Sequence, residues 1–109
     1  MPPLPENEQL EYTTTTSIRR LFNESQYPDT IARGLLTPKL LRDDVLKEPG
    51  ERGEPPGTRG QLVRYSDHNG RWVVEVFQYL RPDGTIGASG RPDPKRLRLG
   101  GKIYVAQHP

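Results

Sequence analysis

The dipeptide Asn69-Gly70 sits between two runs rich in β-branched and aromatic residues, QLVRYS and RWVVEVFQYL. Asn-Gly is the strongest short hairpin signal, because both central turn positions need positive φ and these two residues adopt it at least cost. Once the turn is placed there, the pairing of the flanking strands is fixed. His68 is set against Arg71, Tyr65 against Val74, Val63 against Val76, and Leu62 against Phe77. Arg64 then falls opposite Glu75, an opposite-charge cross-strand pair that supports the register. A four-residue loop from Asp67 to Gly70 leaves the same pairs.

A second turn, Pro82-Asp83-Gly84, suits a three-residue loop with glycine in the left-handed position. It pairs Arg81 with Thr85 and Leu80 with Ile86. One sheet face then carries Val63, Tyr65, Trp72, Val74, Val76, Leu80, Ile86 and Ala88, and this is the expected core face. The opposite face carries Leu62, Val73, Phe77 and Tyr79 beside Arg64 and Glu75, too apolar to be left wholly to water. Either the N-terminal helices cover it, or Phe77 and Tyr79 form an aromatic platform for bases or a peptide. With both faces apolar, the stretch 61–89 is expected to be a middle layer between those helices and the last hairpin.

The remainder of the chain is less regular. Residues 1–16, with three prolines and the run Thr13 to Thr16, read as a flexible tail. Residues 17–47 read as a helical segment. Ser17 can cap a first helix with Ile18, Leu21 and Phe22 on one face, and Gly34 can stop a further short turn. Thr37-Pro38 then opens KLLRDDVLK, the best helix signal in the chain. Residues 48–60, EPGERGEPPGTRG, hold no apolar side chain and read as a mobile Pro/Gly-rich linker or loop. Near the end, RLRL and KIYVAQ form a last hairpin. A three-residue loop Gly100–Lys102 pairs Leu99 with Ile103, and is preferred over a Gly-Gly loop that would set Arg98 against Ile103.

The expected class is α+β: short N-terminal helices packed on a C-terminal antiparallel meander of three to five strands within residues 61–109. In architecture alone this resembles an SH3-like partly closed barrel. The core is thin, since 31% of the 109 residues are hydrophobic while 12 prolines and 11 glycines resist regular structure. There is no cysteine, which excludes disulfides and thiolate metal sites. The first residues lack a signal-peptide pattern, and no apolar run approaches the roughly 18 residues of a membrane span. The expectation is a cytoplasmic protein without membrane contact.

Charge supplies the main functional pointer. Residues 61–109 hold eight Lys/Arg against four Asp/Glu, whereas residues 1–60 hold eight against ten. The densest cluster is Arg91, Lys95, Arg96, Arg98 and Lys102, along GRPDPKRLRLGGK. Such cations can neutralise phosphates without reading sequence, and they also serve to guard a solvated sheet edge. For catalysis the inventory is poor. His68 falls at a hairpin tip and His108 next to the end, neither within a spaced acid–base motif, and no nucleophile or metal-ligand motif is present. A helix-turn-helix reading of residues 34–46 is disfavoured by Asp43 and Asp44 in the middle of the helix that would enter the groove.

The expected function is a small non-enzymatic binding domain without metal or cofactor. It contacts nucleic acid or another polyanion through the basic loop and last hairpin, with Phe77 and Tyr79 as a candidate platform. The alternative is a protein-interaction module, a homo-oligomer, or an inhibitor within a larger assembly.

Overall fold

The computed structural model describes residues 8–87 and 90–107. Its six strands are β1 (Gln9–Thr14), β2 (Thr37–Val45), β3 (Arg59–Ser66), β4 (Trp72–Leu80), β5 (Asp93–Leu99) and β6 (Lys102–Gln107). They form one sheet in the order β1-β6-β5-β4-β3-β2, and helices α1 (Thr15–Glu24) and α2 (Tyr27–Ala32) connect β1 to β2. All neighbours are antiparallel except β1 and β6, which run parallel with Leu10 beside Ile103.

The class is α+β, with several departures from the sequence expectation. The described strands number six, the sheet is mixed, a strand precedes the helices, and the sheet does not close. The reason is edge satisfaction. The meander β3-β4-β5-β6 leaves a row of backbone donors and acceptors unpaired on each side. β2 takes one side and β1 the other, so residues 9–14 are a strand and not part of a tail, and residues 37–45 are a strand and not a helix.

The KLLRDDVLK signal fails because the spacing of its leucines does not mark a buried face. Leu40 and Val45 are about half exposed. Pairing with β3 outweighs local helix preference, as tertiary context commonly does. As an edge strand β2 tolerates Pro38, and its bulge at Leu41 together with Arg42, Asp43 and Asp44 discourages further strand addition.

The central hairpin keeps the expected register from Leu62–Phe77 to Tyr65–Val74, including Arg64–Glu75. Above it the register shifts by one, so Ser66 faces Trp72 and Val73 is a bulge residue. The turn is held by Asp67, whose backbone N–H donates to the Arg71 carbonyl and whose carboxylate accepts from the N–H of Asn69 and of Arg71. The pairing of His68 with Arg71 is therefore replaced by Asp67 with Arg71. The bulge also exchanges two side chains. Val73 joins the core, and Trp72 moves to the Arg64 face, with the Arg98 guanidinium 4.4 Å from its ring centre.

At the second turn Leu80 bridges Ile86, and the Arg81 N–H donates to the Thr85 carbonyl, as the letters imply. Ala88, assigned to the same core face, lies outside the described residues. The last hairpin takes the Gly-Gly alternative: Leu99 faces Lys102 and Arg98 faces Ile103. Gly100 and Gly101 have φ of 58° and 80°, the double positive φ of a tight primed turn, which suits the sheet's twist better than the longer loop.

The core forms between the helices and one face of the sheet. Thr14 caps α1, its Oγ1 accepting from the Ser17 N–H, and α1 then buries Ile18 and Phe22. These pack with Tyr27, Val63, Val73, Val74, Val76 and Leu97. Each fully buried aliphatic side chain contributes roughly 1.5–3 kcal/mol. The helices thus cover the Val63–Val76 face and not the Phe77–Tyr79 face. The last hairpin extends the sheet sideways and does not stack on it. Stretch 61–89 belongs to one of two layers and is no middle layer.

Burial raises the pKa of Tyr27 and Tyr65 above the ordinary value of 10.0. The Tyr27 hydroxyl also donates to the Arg98 carbonyl at 2.6 Å. Because the folded pKa lies above the unfolded one, this contribution is complete below pH about 10 and is lost as pH rises through the folded value. Urea midpoints should be flat up to about pH 9.5 and then fall. Tyr65→Phe should make that fall shallower; an unchanged profile in Tyr65→Phe would contradict the assignment.

A cleft at the end of β4

β4 extends beyond its pairing with β5. Phe77, opposite Asp93, is the last β4 residue in that ladder. Past it, the N–H of Gly87 donates to the Tyr79 carbonyl at 2.7 Å. Gly87 on one side and Arg91, Asp93 and Lys95 on the other flank a notch beside the end of β4. This notch is a cleft of about 540 Å³. Phe77, Gln78 and Tyr79 line it from β4, with Gly87, Arg91, Asp93 and Lys95, and with Arg52 from the turn after β2 and Arg19 from α1.

The two rings are half-buried and meet edge to face, with centroids 5.3 Å apart and planes at 84°. Phe77 rests over Gly60, where an added Cβ would lie 3.4 Å from the ring and 3.4 Å from Leu46 Cδ2. Leu46 and the β3 backbone at Gly60 thus lie beside Phe77, and both rings line the cleft. The Tyr79 hydroxyl accepts from Arg52 Nη1 at 3.2 Å, setting a guanidinium beside the phenol.

Arg52 is positioned by a segment whose composition suggests a mobile linker. A single 3-10 turn, Pro49–Arg52, ends at Gly53 with φ of 70°, and the Glu54 N–H donates back to the Pro49 carbonyl. Glu54 then turns inward. Its carboxylate, 1% exposed, accepts from Arg81 Nε at 2.7 Å and from Nη2 at 3.4 Å. A Cβ on Gly87 would come within 2.6 Å of Glu54 Cδ, so a side chain there would have to displace the Glu54 carboxylate. Thr58 is fully buried, donating to the Pro55 carbonyl at 2.8 Å. Segment 48–60 thus buries two polar side chains, Glu54 and Thr58, which an argument from apolar content does not detect.

Asp93 is the one carboxylate among the described lining residues. It accepts from Arg19 Nε at 2.8 Å and from Lys95 Nζ at 3.0 Å. Burial alone would raise its pKa, but these two cations outweigh that and hold it below the ordinary carboxylate value. Asp93 raises the Arg19 pKa in return, so Arg19 stays charged.

The basic cluster read from the sequence is divided by the fold. Arg91 and Lys95 line the cleft together with Phe77 and Tyr79. The other three cations are held elsewhere by carboxylates. Arg96 lies 3.9 Å from Glu75, which is also bound by Arg64 at 2.6 Å. Arg98, 13% exposed, donates to Glu8 at 2.8 Å and to the Trp72 carbonyl at 2.9 Å. Lys102 pairs with Glu11 at 3.1 Å. His68 is exposed in the β3–β4 turn, at the opposite end of β4 from the cleft, and His108 lies outside the described residues.

Arg19 and Arg52 are the cleft residues that sequence reasoning missed. Arg52 stands among glycines, prolines and acids, and only its tertiary contact with Tyr79 distinguishes it. Arg19 lies one residue after the buried Ile18, and only the docking of α1 brings it to Asp93. No protein-family model, curated protein or solved structure matches this chain. Among the described residues no helix is long and apolar enough to cross a membrane.

Proposed function

We propose that the protein is a non-enzymatic binding module that takes the phosphate backbone of a nucleic acid, or a comparable polyanion, into the cleft at the end of β4. The supporting observation is the convergence of Arg19, Arg52, Arg91 and Lys95 on the half-exposed rings of Phe77 and Tyr79, against the single carboxylate of Asp93. Cations on a concave, partly apolar wall bind phosphate more strongly than the same cations on an open edge, because the wall lowers the local dielectric. Arg96, Arg98 and Lys102 play a smaller part in this reading than composition suggests, since none of them is among the residues that line the cleft.

Fluorescence anisotropy with a labelled 12-nucleotide oligomer, across a salt series, tests this directly. Affinity should fall steeply with salt, and the slope of log K against log salt should drop by about one for each lost phosphate contact. Arg52→Ala combined with Lys95→Ala should weaken binding by roughly ten-fold or more at low salt. Asp93→Asn should strengthen it several-fold, a gain that misfolding does not produce. Absence of binding at low salt, or binding indifferent to all three changes, would sink the reading.

A further inference from the structure

Resting on that reading, we infer that the cleft selects single-stranded nucleic acid over duplex, with an unpaired base laid on the Phe77–Tyr79 rings while its flanking phosphates reach Arg52, Arg91 and Lys95. Three features carry this. The first is size. A volume of about 540 Å³ falls in the range of roughly 300–1,000 Å³ typical of small-ligand sites. A flexible strand can thread one or two nucleotides into such a notch, whereas a duplex can only rest its backbone across the rim.

The second is ring geometry. At 84° to each other, the rings cannot both lie flat against one base. One ring stacks and the other presents its edge, so the pair forms a corner for a single base. Base faces inside a duplex are stacked on their neighbours and are not available to a corner of this kind. The Arg52 guanidinium, bonded to the Tyr79 hydroxyl, sets a positive charge beside the phenol for the adjoining phosphate.

The third is the layout of charge. Cations approach the rings from separate elements: Arg52 from the 3-10 turn, Arg91 and Lys95 from the segment entering β5, and Arg19 from α1. They surround a concavity and do not form a straight row. A row would follow the regular phosphate spacing of a duplex, whereas a surround suits a backbone that bends around an inserted base.

The experiment uses the full chain with labelled oligo(dT), oligo(U), a duplex of equal length, and inorganic polyphosphate. Single strands should bind at least five-fold tighter than duplex at equal salt. Tyr79→Leu keeps apolar bulk but loses the π face, and it should weaken single-strand binding by roughly 5- to 100-fold, a much larger factor than any loss for polyphosphate. Tyr79→Phe keeps the ring and should retain most single-strand affinity, which separates stacking from loss of fold. Oligo(U) against oligo(dT) shows whether a 2′-hydroxyl contributes. Equal binding of strand and duplex, or equal losses for strand and polyphosphate in Tyr79→Leu, would overturn the single-strand inference while leaving polyanion binding intact. Failure of every probe, polyphosphate included, would overturn the underlying function instead.

Discussion

Glu8→Ala should lower the unfolding free energy by about 3–5 kcal/mol, a large share of what a small domain possesses. The Glu8 carboxylate is 2% exposed and is held by Arg98 at 2.8 Å and by Arg71. Arg98 is itself nearly buried, lies over the Trp72 ring, and also donates to the Trp72 carbonyl. Removing the carboxylate leaves a guanidinium enclosed without its counter-charge, the situation in which breaking a buried pair is most costly. The loss also loosens the start of β1, because Gln9 follows directly and donates its N–H to the Gly101 carbonyl at 3.1 Å. Equilibrium urea unfolding measures the effect. Glu11→Ala is the control, since the Glu11–Lys102 pair is open to water and should contribute little. Equal small losses in the two variants would show that Glu8 is not the fastening of the β1 edge.

The same residue shows where sequence reasoning reached its limit. Glu8 and Glu11 stand in a segment whose prolines and threonines suggest a tail, so the partners of Arg98 and Lys102 were invisible. The parallel pairing of Leu10 with Ile103 joins residues from opposite ends of the chain, and no local pattern encodes it. The central hairpin was legible because its information is local: a turn dipeptide, alternating side chains and one charge pair fix the register. Its bulge at Val73 was not legible, and it alone moved Trp72 to the Arg64 face.

β2 misled for a related reason. Its helical signals are real, yet helix and strand compete through what they bury, and here β3 offered a full ladder of backbone partners. At the last hairpin the correct Gly-Gly turn was recognisable, but its preference over a longer loop depends on sheet twist, which the letters do not show. At the site, Phe77, Tyr79, Arg91 and Lys95 were legible as separate features. Their convergence was not, because it depends on β4 extending beyond β5 and on residues 48–60 folding back.

That fold-back leads to the second large effect. Glu54→Ala should cost about 3 kcal/mol, because it removes a carboxylate buried to 1% exposure that ties the 3-10 turn to Arg81 and packs against Gly87. The effect on binding separates two arguments. By net charge alone, deleting an anion near a polyanion site should raise affinity, as Asp93→Asn is expected to do. By position, Glu54 is the anchor that keeps Arg52 beside Tyr79 and Gly87 against the cleft wall, so its loss should lower affinity. We expect the fall, several-fold at low salt, measured well below the variant's unfolding midpoint so that only folded protein is compared. Gly87→Ala should reproduce part of it without altering any charge, because its Cβ would displace the Glu54 carboxylate, with a stability loss of roughly 1–3 kcal/mol. A rise in affinity for Glu54→Ala would mean that the cleft attracts polyanions through net charge alone and that the geometry around Tyr79 is irrelevant to binding.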